Sequence, residues 1–266
     1  MPMARIDDGL TMYYEDHDFT DPWKRPEAVV IHHGLAGNSR LSYAWVPLLA
    51  RHYRVIRPDA RGCGRSTVPP PGYPWSLSGF ARDLKGLLDH LGLEKVHLIG
   101  ETLGGIIALQ LAADNPERLR SVTVCSSPFR LAGVPWHNEN EALVEREGTE
   151  AWVRKTMAPR LDPTGDPAHV EWMIRQLGSA PKHVVLELMR DNDTQDRAAI
   201  FRRVRVPTQL IIGEKTAQRE GFDPQAMRAM IPGSRLAIIP GAAGYVQHSD
   251  TDECVRIWRE FVAGLG

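Results

Sequence analysis

Six short apolar runs, each bounded by glycine, proline or polar residues, recur along the chain and constrain its fold more than any other feature. They are AVVIHHG (28–34), YRVIRPD (53–59), KVHLIG (95–100), SVTVCSS (121–127), TQLIIGE (208–214) and RLAIIPG (235–241). Strands of a parallel sheet are covered by helices on both faces, so they are apolar throughout rather than at alternate positions. The runs therefore predict an α/β protein with a doubly wound, mostly parallel sheet.

Three longer amphipathic stretches predict helices that cover this sheet. They are SLSGFARDLKGLLDHLG (76–92), GGIIALQLAADNP (104–116) and DECVRIWREFVAGL (252–265). The segment ARIDDGLTMYYEDHD (4–18) differs from all of these and indicates an antiparallel hairpin at the edge of the sheet.

The alternation of strands and helices stops between residues 127 and 206, which contain no apolar strand run and read as several short helices. We expect a helical cap (127–206) inserted into a core that is formed by residues 1–126 and 207–266. Such a cap would close over the carboxyl edge of the sheet. The alternative is a set of peripheral helices with no gating role. The three tryptophans of this segment are expected in the cap core and the pocket wall, with Trp136 contacting substrate; they are Trp136, Trp152 and Trp172.

Composition excludes several classes of partner. The net charge of −1 gives no overall field that would attract nucleic acid or an anionic membrane. No segment approaches the roughly 20 consecutive apolar residues of a membrane span, and the N-terminus lacks the apolar stretch of a signal peptide. We therefore expect a cytoplasmic protein, monomeric or homodimeric, whose partner is a small-molecule substrate.

No cofactor or metal is expected from the sequence. Cys63, Cys125 and Cys254 are widely spaced and odd in number, which argues against both a disulfide framework and a zinc site. The glycines of GCGRS (62–66) match neither a Walker motif nor a dinucleotide fingerprint.

Turns that directly follow predicted strands carry the residues of chemical interest. In VVIHHGLAG (29–37), the pair His33-Gly34 lets the backbone pass close to a ligand and leaves the amide of Leu35 free to point into a cleft. In RPDARGCGRS (57–66), two glycines permit a second tight loop.

The third turn is LIGETLGG (98–105), which we call the elbow. A sharp strand–turn–helix needs small residues around its central position, and Gly100 and Gly104 supply them. The central side chain, Thr102, is then exposed above the N-terminus of a helix, where the helix dipole favours a developing negative charge.

These turns, in this order and at these distances, resemble the α/β-hydrolase fold superfamily over essentially the whole chain. The chain is most similar to small cap-bearing members such as 3-oxoadipate enol-lactonases and related esterases. The resemblance implies a serine–histidine–acid triad, but it does not fix the reaction, because the superfamily hosts many chemistries.

The resemblance implies where each triad residue would stand, and all three positions are substituted. The nucleophile position is Thr102, and the acid position in GEKT (213–216) is Thr216. The base position in PGAAGYVQH (240–248) is Gly244. A threonine hydroxyl is a weak nucleophile unless a base accepts its proton, and neither Thr216 nor Gly244 can orient or replace an imidazole.

The oxyanion hole implied by the resemblance uses backbone amides, those of Leu35 beside Gly34 and of Leu103 in the elbow. Backbone donors survive side-chain substitution. The substrate-binding half of the site is therefore expected to be intact, whereas the proton-transfer half is not.

Two histidines are candidates for the missing base. His248 lies four positions beyond Gly244, and four extended residues can span about 13 Å, although His248 is also explained as a polar residue leading into the last helix. His33 follows a strand at the oxyanion turn; in the resembling family this histidine is generally structural. Glu101 flanks Thr102, but side chains next to the nucleophile usually point away from substrate.

Three hypotheses follow. The first is a hydrolase of small esters, lactones or related carbonyl compounds, with Thr102 as an atypical nucleophile. The second is a lyase, isomerase or cyclase that uses the pocket and the oxyanion hole without hydrolysis. The third is a catalytically inactive ligand-binding homologue that retains the fold and the pocket.

Overall fold

The computed structural model describes residues 2–161, 165–192 and 197–265. Within these residues, eight strands form a single sheet with the order β1-β2-β4-β3-β5-β6-β7-β8. The strands are β1 Met3–Asp7, β2 Leu10–His17, β3 Ala28–His32, β4 Arg54–Pro58, β5 Val96–Glu101, β6 Leu119–Cys125, β7 Thr208–Gly213 and β8 Arg235–Ile239.

Strand pairing confirms the predicted doubly wound, mostly parallel sheet. Strands β3 to β8 pair in parallel, and β2 pairs antiparallel with both β1 and β4. The hairpin predicted for residues 4–18 therefore forms the antiparallel edge. The carboxyl ends of β3, β5, β6 and β7 all meet at one edge, where their connecting loops can share a site.

Helices cover both faces of the sheet. They are α1 Trp45–Leu49, α2 Leu77–His90, α3 Leu103–Asp114, α4 Pro135–Glu147, α5 Thr149–Met157, α6 Pro167–Gly178, α7 Lys182–Asn192, α8 Arg197–Arg203, α9 Glu214–Ala217, α10 Pro224–Met230, α11 Val246–Ser249 and α12 Thr251–Ala263. The predicted helices correspond to α2, α3 and α12. The short helices α1, α9, α10 and α11 have no counterpart in the sequence prediction.

Strand β3 shows why the apolar runs are continuous. Val30 packs into the core that contains α2 and α3, whereas Val29 and Ile31 pack into a second core with Trp45 and Trp258 on the opposite face. Since successive side chains of a strand point to opposite faces, a strand covered on both sides must be apolar at every position.

Helices α4 to α8 lie between β6 and β7, in the segment predicted as a cap. Val144, Trp152, Met157 and Met173 are buried in an apolar cluster that belongs mainly to this segment. Ala36, from the loop after β3, packs into the same cluster, so the segment is joined to the sheet at the loop that follows β3. Over the described ranges, no helix is both long and apolar enough to cross a membrane.

Candidate active site

The elbow holds Thr102 in a conformation that few residues adopt. Strand β5 ends at Glu101 and α3 begins at Leu103, and between them Thr102 has φ 50° and ψ −113°. A positive φ is uncommon for a β-branched residue and requires support from the surrounding structure. That support includes the backbone amide of Thr102, which donates to the carbonyl of Cys125 at 2.9 Å.

Glycines make this turn possible. A Cβ at Gly100 would lie 2.3 Å from the carbonyl oxygen of Gly104, and a Cβ at Gly104 would lie 2.4 Å from the carbonyl oxygen of His32. Gly34 is required for a different reason, because its Cβ would lie 1.8 Å from the hydroxyl oxygen of Thr102. The Thr102 hydroxyl is therefore packed against the backbone of the turn that follows β3.

Two backbone amides, those of Leu35 and Leu103, lie at this position. Leu35 and Leu103 both line the cavity that Thr102 faces. Neither amide donates to another residue in the part of the chain that the structure describes. Leu103 is also the first residue of α3, so its N–H lies at the positive end of the helix dipole. The two amides are suited to receive a carbonyl oxygen that becomes negatively charged.

The cavity in front of Thr102 has a volume of about 430 Å³. It is enclosed by the carboxyl edge of the sheet and by helices of the 127–206 segment. Six residues that the sequence analysis assigned to the site line this cavity: Leu35, Thr102, Leu103, Trp136, Thr216 and Gly244. A volume of this size suits a small organic molecule.

The structure brings the predicted acid and base positions together. A Cβ at Gly244 would lie 3.5 Å from the hydroxyl oxygen of Thr216. The same Cβ would lie 3.1 Å from the carbonyl oxygen of Arg160, which accepts a 2.7 Å hydrogen bond from the amide of Tyr245. The backbone of the helical segment thus occupies the space beside residue 244.

His248 lies behind the elbow and outside the cavity lining. Its Nε2 atom is 3.3 Å from Oε2 of Glu101, and the two side chains are 4% and 1% exposed. The other carboxylate oxygen of Glu101 accepts a hydrogen bond from Oγ of Ser42 at 3.1 Å. The pair therefore braces the residue that directly precedes Thr102.

His33 has both ring nitrogens engaged by backbone groups. Nε2 accepts from the amide of Ala60 at 2.9 Å, so Nδ1 carries the proton and donates to the carbonyl of Gly34 at 2.8 Å. Complete burial lowers the pKa of His33 and keeps the ring neutral, against a smaller opposing effect of Asp59. In this arrangement His33 fixes the turn that presents the Leu35 amide.

Several cavity residues were not found from the sequence. His137, Arg160, Arg219 and Tyr245 all line the cavity. Arg219 follows Thr216 by one turn, and Tyr245 follows Gly244, so positions near the predicted triad sites could have drawn attention to them. Arg160 gave no such signal, because only the packing of the helical segment brings it to this site.

In the described part of the chain, no group of three or more histidine, cysteine, aspartate or glutamate side chains is placed to hold a metal ion.

Comparison with known proteins gives consistent results. A family model described as "alpha/beta hydrolase fold" matches residues 27–250. Among curated proteins, "Putative carbamate hydrolase RutD" of Azorhizobium caulinodans is 26% identical over 253 residues, covering 91% of each chain.

Solved structures match over nearly the whole chain. The enol-lactonase from Burkholderia xenovorans LB400 has a TM-score of 0.86 at 21% identity, covering 98% of this chain and 100% of that one. A thermophilic esterase from Thermogutta terrifontis has a TM-score of 0.80 at 27% identity, covering 96% of this chain and 94% of the other. The first of these likenesses shows the fold alone.

Proposed function

The chain belongs to the alpha/beta hydrolase fold family, and on this basis we propose that it is an enzyme that acts on a small ester, lactone or related carbonyl compound in the cavity beside Thr102. Two of the similar proteins, "Putative carbamate hydrolase RutD" and the thermophilic esterase, are named as hydrolases of carbamates and esters. In this proposal residues 127–206 act as a cap, and the triad positions are non-standard.

The observation that carries the proposal is the juxtaposition of the Thr102 hydroxyl with the backbone amides of Leu35 and Leu103. A substrate carbonyl oxygen bound by these amides would be polarised, and the negative charge that develops on it would be stabilised by donors already in place. One such donor is commonly worth about 10²–10³ in rate. The Thr102 hydroxyl would then lie in position to attack the carbonyl carbon.

Proton transfer is the step for which this cavity is least equipped. His137 lines the cavity, but its Nε2 is engaged by the carbonyl of Met189 at 3.3 Å. Thr216 and Gly244 contribute no base, and His33 and His248 are engaged by Gly34 and Glu101. General acid–base catalysis typically contributes about 10²–10⁴ in rate. We therefore expect slow hydrolysis, with the two histidines supporting the oxyanion turn and the elbow.

A second candidate function is a non-hydrolytic reaction of a carbonyl compound, such as a lyase, isomerase or cyclase step. It is favoured by the contrast between two amides that are suited to bind an oxyanion and a cavity that is poorly equipped for hydrolysis. The amides could stabilise an enolate without any nucleophile. Binding of a ligand without turnover is the third possibility.

The test is a panel of activated esters, lactones and carbamates offered to the wild type and to Thr102→Ala and Thr102→Ser. Hydrolysis predicts slow turnover that Thr102→Ala abolishes and Thr102→Ser retains. Equal background turnover by all three proteins would reject the hydrolase. Product formed without water incorporation would support the non-hydrolytic reaction, and thermal stabilisation with no product would support binding alone.

A further inference from the structure

Two arginines of the cavity lining are held in fixed positions by aromatic rings. The guanidinium of Arg160 lies 4.8 Å from the ring centroid of Trp152 and 5.7 Å from that of Tyr245. Its Nη1 also donates to the hydroxyl of Tyr245 at 3.0 Å. The guanidinium of Arg219 lies 4.9 Å from the ring centroid of Trp136. Stacked guanidinium groups lose little further freedom when they bind a ligand.

In the ranges that the structure describes, no carboxylate forms an ion pair with Arg160 or Arg219, whereas buried Arg61 bonds to Asp83 and Arg57 to Glu15. Burial lowers the pKa of Arg219, and the positive charge of Arg160 lowers it further. The two cations repel each other, although Arg219 is an exposed residue whose charge is partly screened by water.

The charge of the cavity lining is positive. Besides the two arginines, Lys155 lines the cavity, and Glu139 is the one carboxylate among the described lining residues. Glu139, Lys155 and Arg219 are all exposed and face water as well as the cavity, whereas Arg160 is half-buried, so the net charge of the lining is positive after Glu139 is counted. An anionic ligand would reduce the repulsion between Arg160 and Arg219 and gain charge-assisted hydrogen bonds from both.

We propose that Arg160 and Arg219 bind a free carboxylate on the substrate, so that the substrate class is the monoesters or lactones of dicarboxylic acids. This inference rests on the proposed function for the ester half of the molecule only. The planar guanidinium fork matches the two oxygens of a carboxylate, and the remaining aromatic lining suits a short carbon chain.

Arg160 also sets where the carboxylate lies. Its carbonyl oxygen is fixed by the amide of Tyr245, beside Gly244 and close to Thr216. The backbone amide of Arg219 donates to the carbonyl of Thr216 at 3.0 Å. Both cations are thus tied to the two loops that approach Thr102, and a bound carboxylate would orient the rest of the molecule relative to the elbow.

Binding of monomethyl glutarate and dimethyl glutarate, measured by calorimetry, tests the inference without requiring turnover. The wild type is expected to bind the monoester at least about tenfold more tightly than the diester. Arg160→Gln and Arg219→Gln should each remove most of this preference, while Arg219→Lys, which keeps the charge but loses the fork, should remove part of it. Arg228→Gln, which removes an exposed arginine outside the cavity, is the matched control and should bind like the wild type.

Several results would overturn the inference. Equal affinity for monoester and diester, no binding of either by the wild type, or unchanged preference in both cavity variants would each reject the carboxylate site. Tighter binding of methyl phosphate than of the monoester would reject the assignment to carboxylates. Monoester binding without any hydrolysis would leave the site intact and reject the hydrolase, so the two failures can be told apart.

Discussion

Nε2 of His248 lies 3.3 Å from Oε2 of Glu101, and this buried pair sits directly behind the elbow. Glu101 is the residue before Thr102, so a change in the pair would be transmitted to the residue that faces the cavity. The pair is thereby placed to hold the strained conformation of Thr102 rather than to contact a ligand.

Removing one partner of the pair should destabilise the fold. We expect His248→Ala to lower the free energy of unfolding by about 1–3 kcal/mol, because it leaves the buried Oε2 of Glu101 without a polar neighbour while Ser42 still donates to Oε1. Chemical denaturation measures this change. As a control, Glu253→Ala removes an exposed partner of Arg256 and should cost about 1 kcal/mol or less. Similar small costs for both variants would show that the buried pair does not support the elbow.

Replacing Thr102 by glycine should relieve backbone strain. The combination of φ 50° and ψ −113° is unfavourable for threonine by about 1–3 kcal/mol, and glycine adopts a positive φ freely at an entropic cost of about 0.5–1 kcal/mol. Thr102→Gly should therefore leave the melting temperature unchanged or raise it. Thr251→Gly, which loses a bond to the Gln247 carbonyl in the first turn of α12, should lower it. A lower melting temperature for Thr102→Gly would contradict the strain argument.

A side chain at residue 244 should disturb the helical segment. The Cβ of Gly244→Ala would lie 3.1 Å from the Arg160 carbonyl oxygen, closer than ordinary contact, and overpacking of this kind costs about 1–3 kcal/mol. Gly9→Ala is the control, since its Cβ would meet nothing closer than 3.5 Å. Thermal denaturation compares the melting temperatures of the two variants. Equal melting temperatures would mean that the helical segment shifts to accommodate the new methyl group at little cost.

Stability should fall as the pH is lowered below about 6.5. Burial lowers the pKa of His32 from its ordinary value of 6.5 to about 3, and it lowers that of His33 as well. Both rings stay neutral in the folded state and become protonated when the chain unfolds, so their contribution is present above pH 6.5 and lost below it. His32 contributes a slope that approaches about 1.4 kcal/mol per pH unit well below pH 6.5, and His33 adds to it in the same direction.

Urea denaturation between pH 7.5 and pH 4.5 measures this slope. A variant of exposed His52, His52→Gln, should keep the wild-type slope. A stability that does not change across this range would show that each buried ring has the same pKa in the folded and the unfolded chain, and would contradict the prediction.

Introducing an acid at residue 216 should weaken carboxylate binding. Thr216 lines the cavity that also contains Arg160 and Arg219, so the carboxylate of Thr216→Asp would compete with the ligand for these cations. We expect the affinity for monomethyl glutarate to fall about tenfold or more, while isosteric Thr216→Val retains it. An unchanged affinity of Thr216→Asp for monomethyl glutarate would show that residue 216 does not lie close to the bound carboxylate.

Much of the fold could be predicted from local sequence. Continuous apolar runs such as residues 28–34 identified the strands that are buried on both faces, because this pattern depends only on which side chains face helices. The elbow could be predicted from Gly100 and Gly104, since only small residues permit so sharp a turn.

The composition of the cavity could not be predicted in the same way. Arg160 reaches Tyr245 across 85 residues of sequence, and Glu101 meets His248 through the packing of loops from different strands. Such contacts depend on how the helical segment and the loop that contains α11 pack against the sheet. Neither periodicity nor motif spacing contains that information, so the cationic side of the cavity became visible only in three dimensions.

The hydrogen bond between the amide of Tyr245 and the carbonyl of Arg160 also limits how residue 244 can be engineered. A side chain introduced there starts from a Cβ that lies 3.1 Å from that carbonyl oxygen, so the helical segment must shift by a few tenths of an ångström before anything larger than glycine fits. An imidazole designed into this loop therefore needs a compensating change in the segment around Arg160, and the two changes have to be made together.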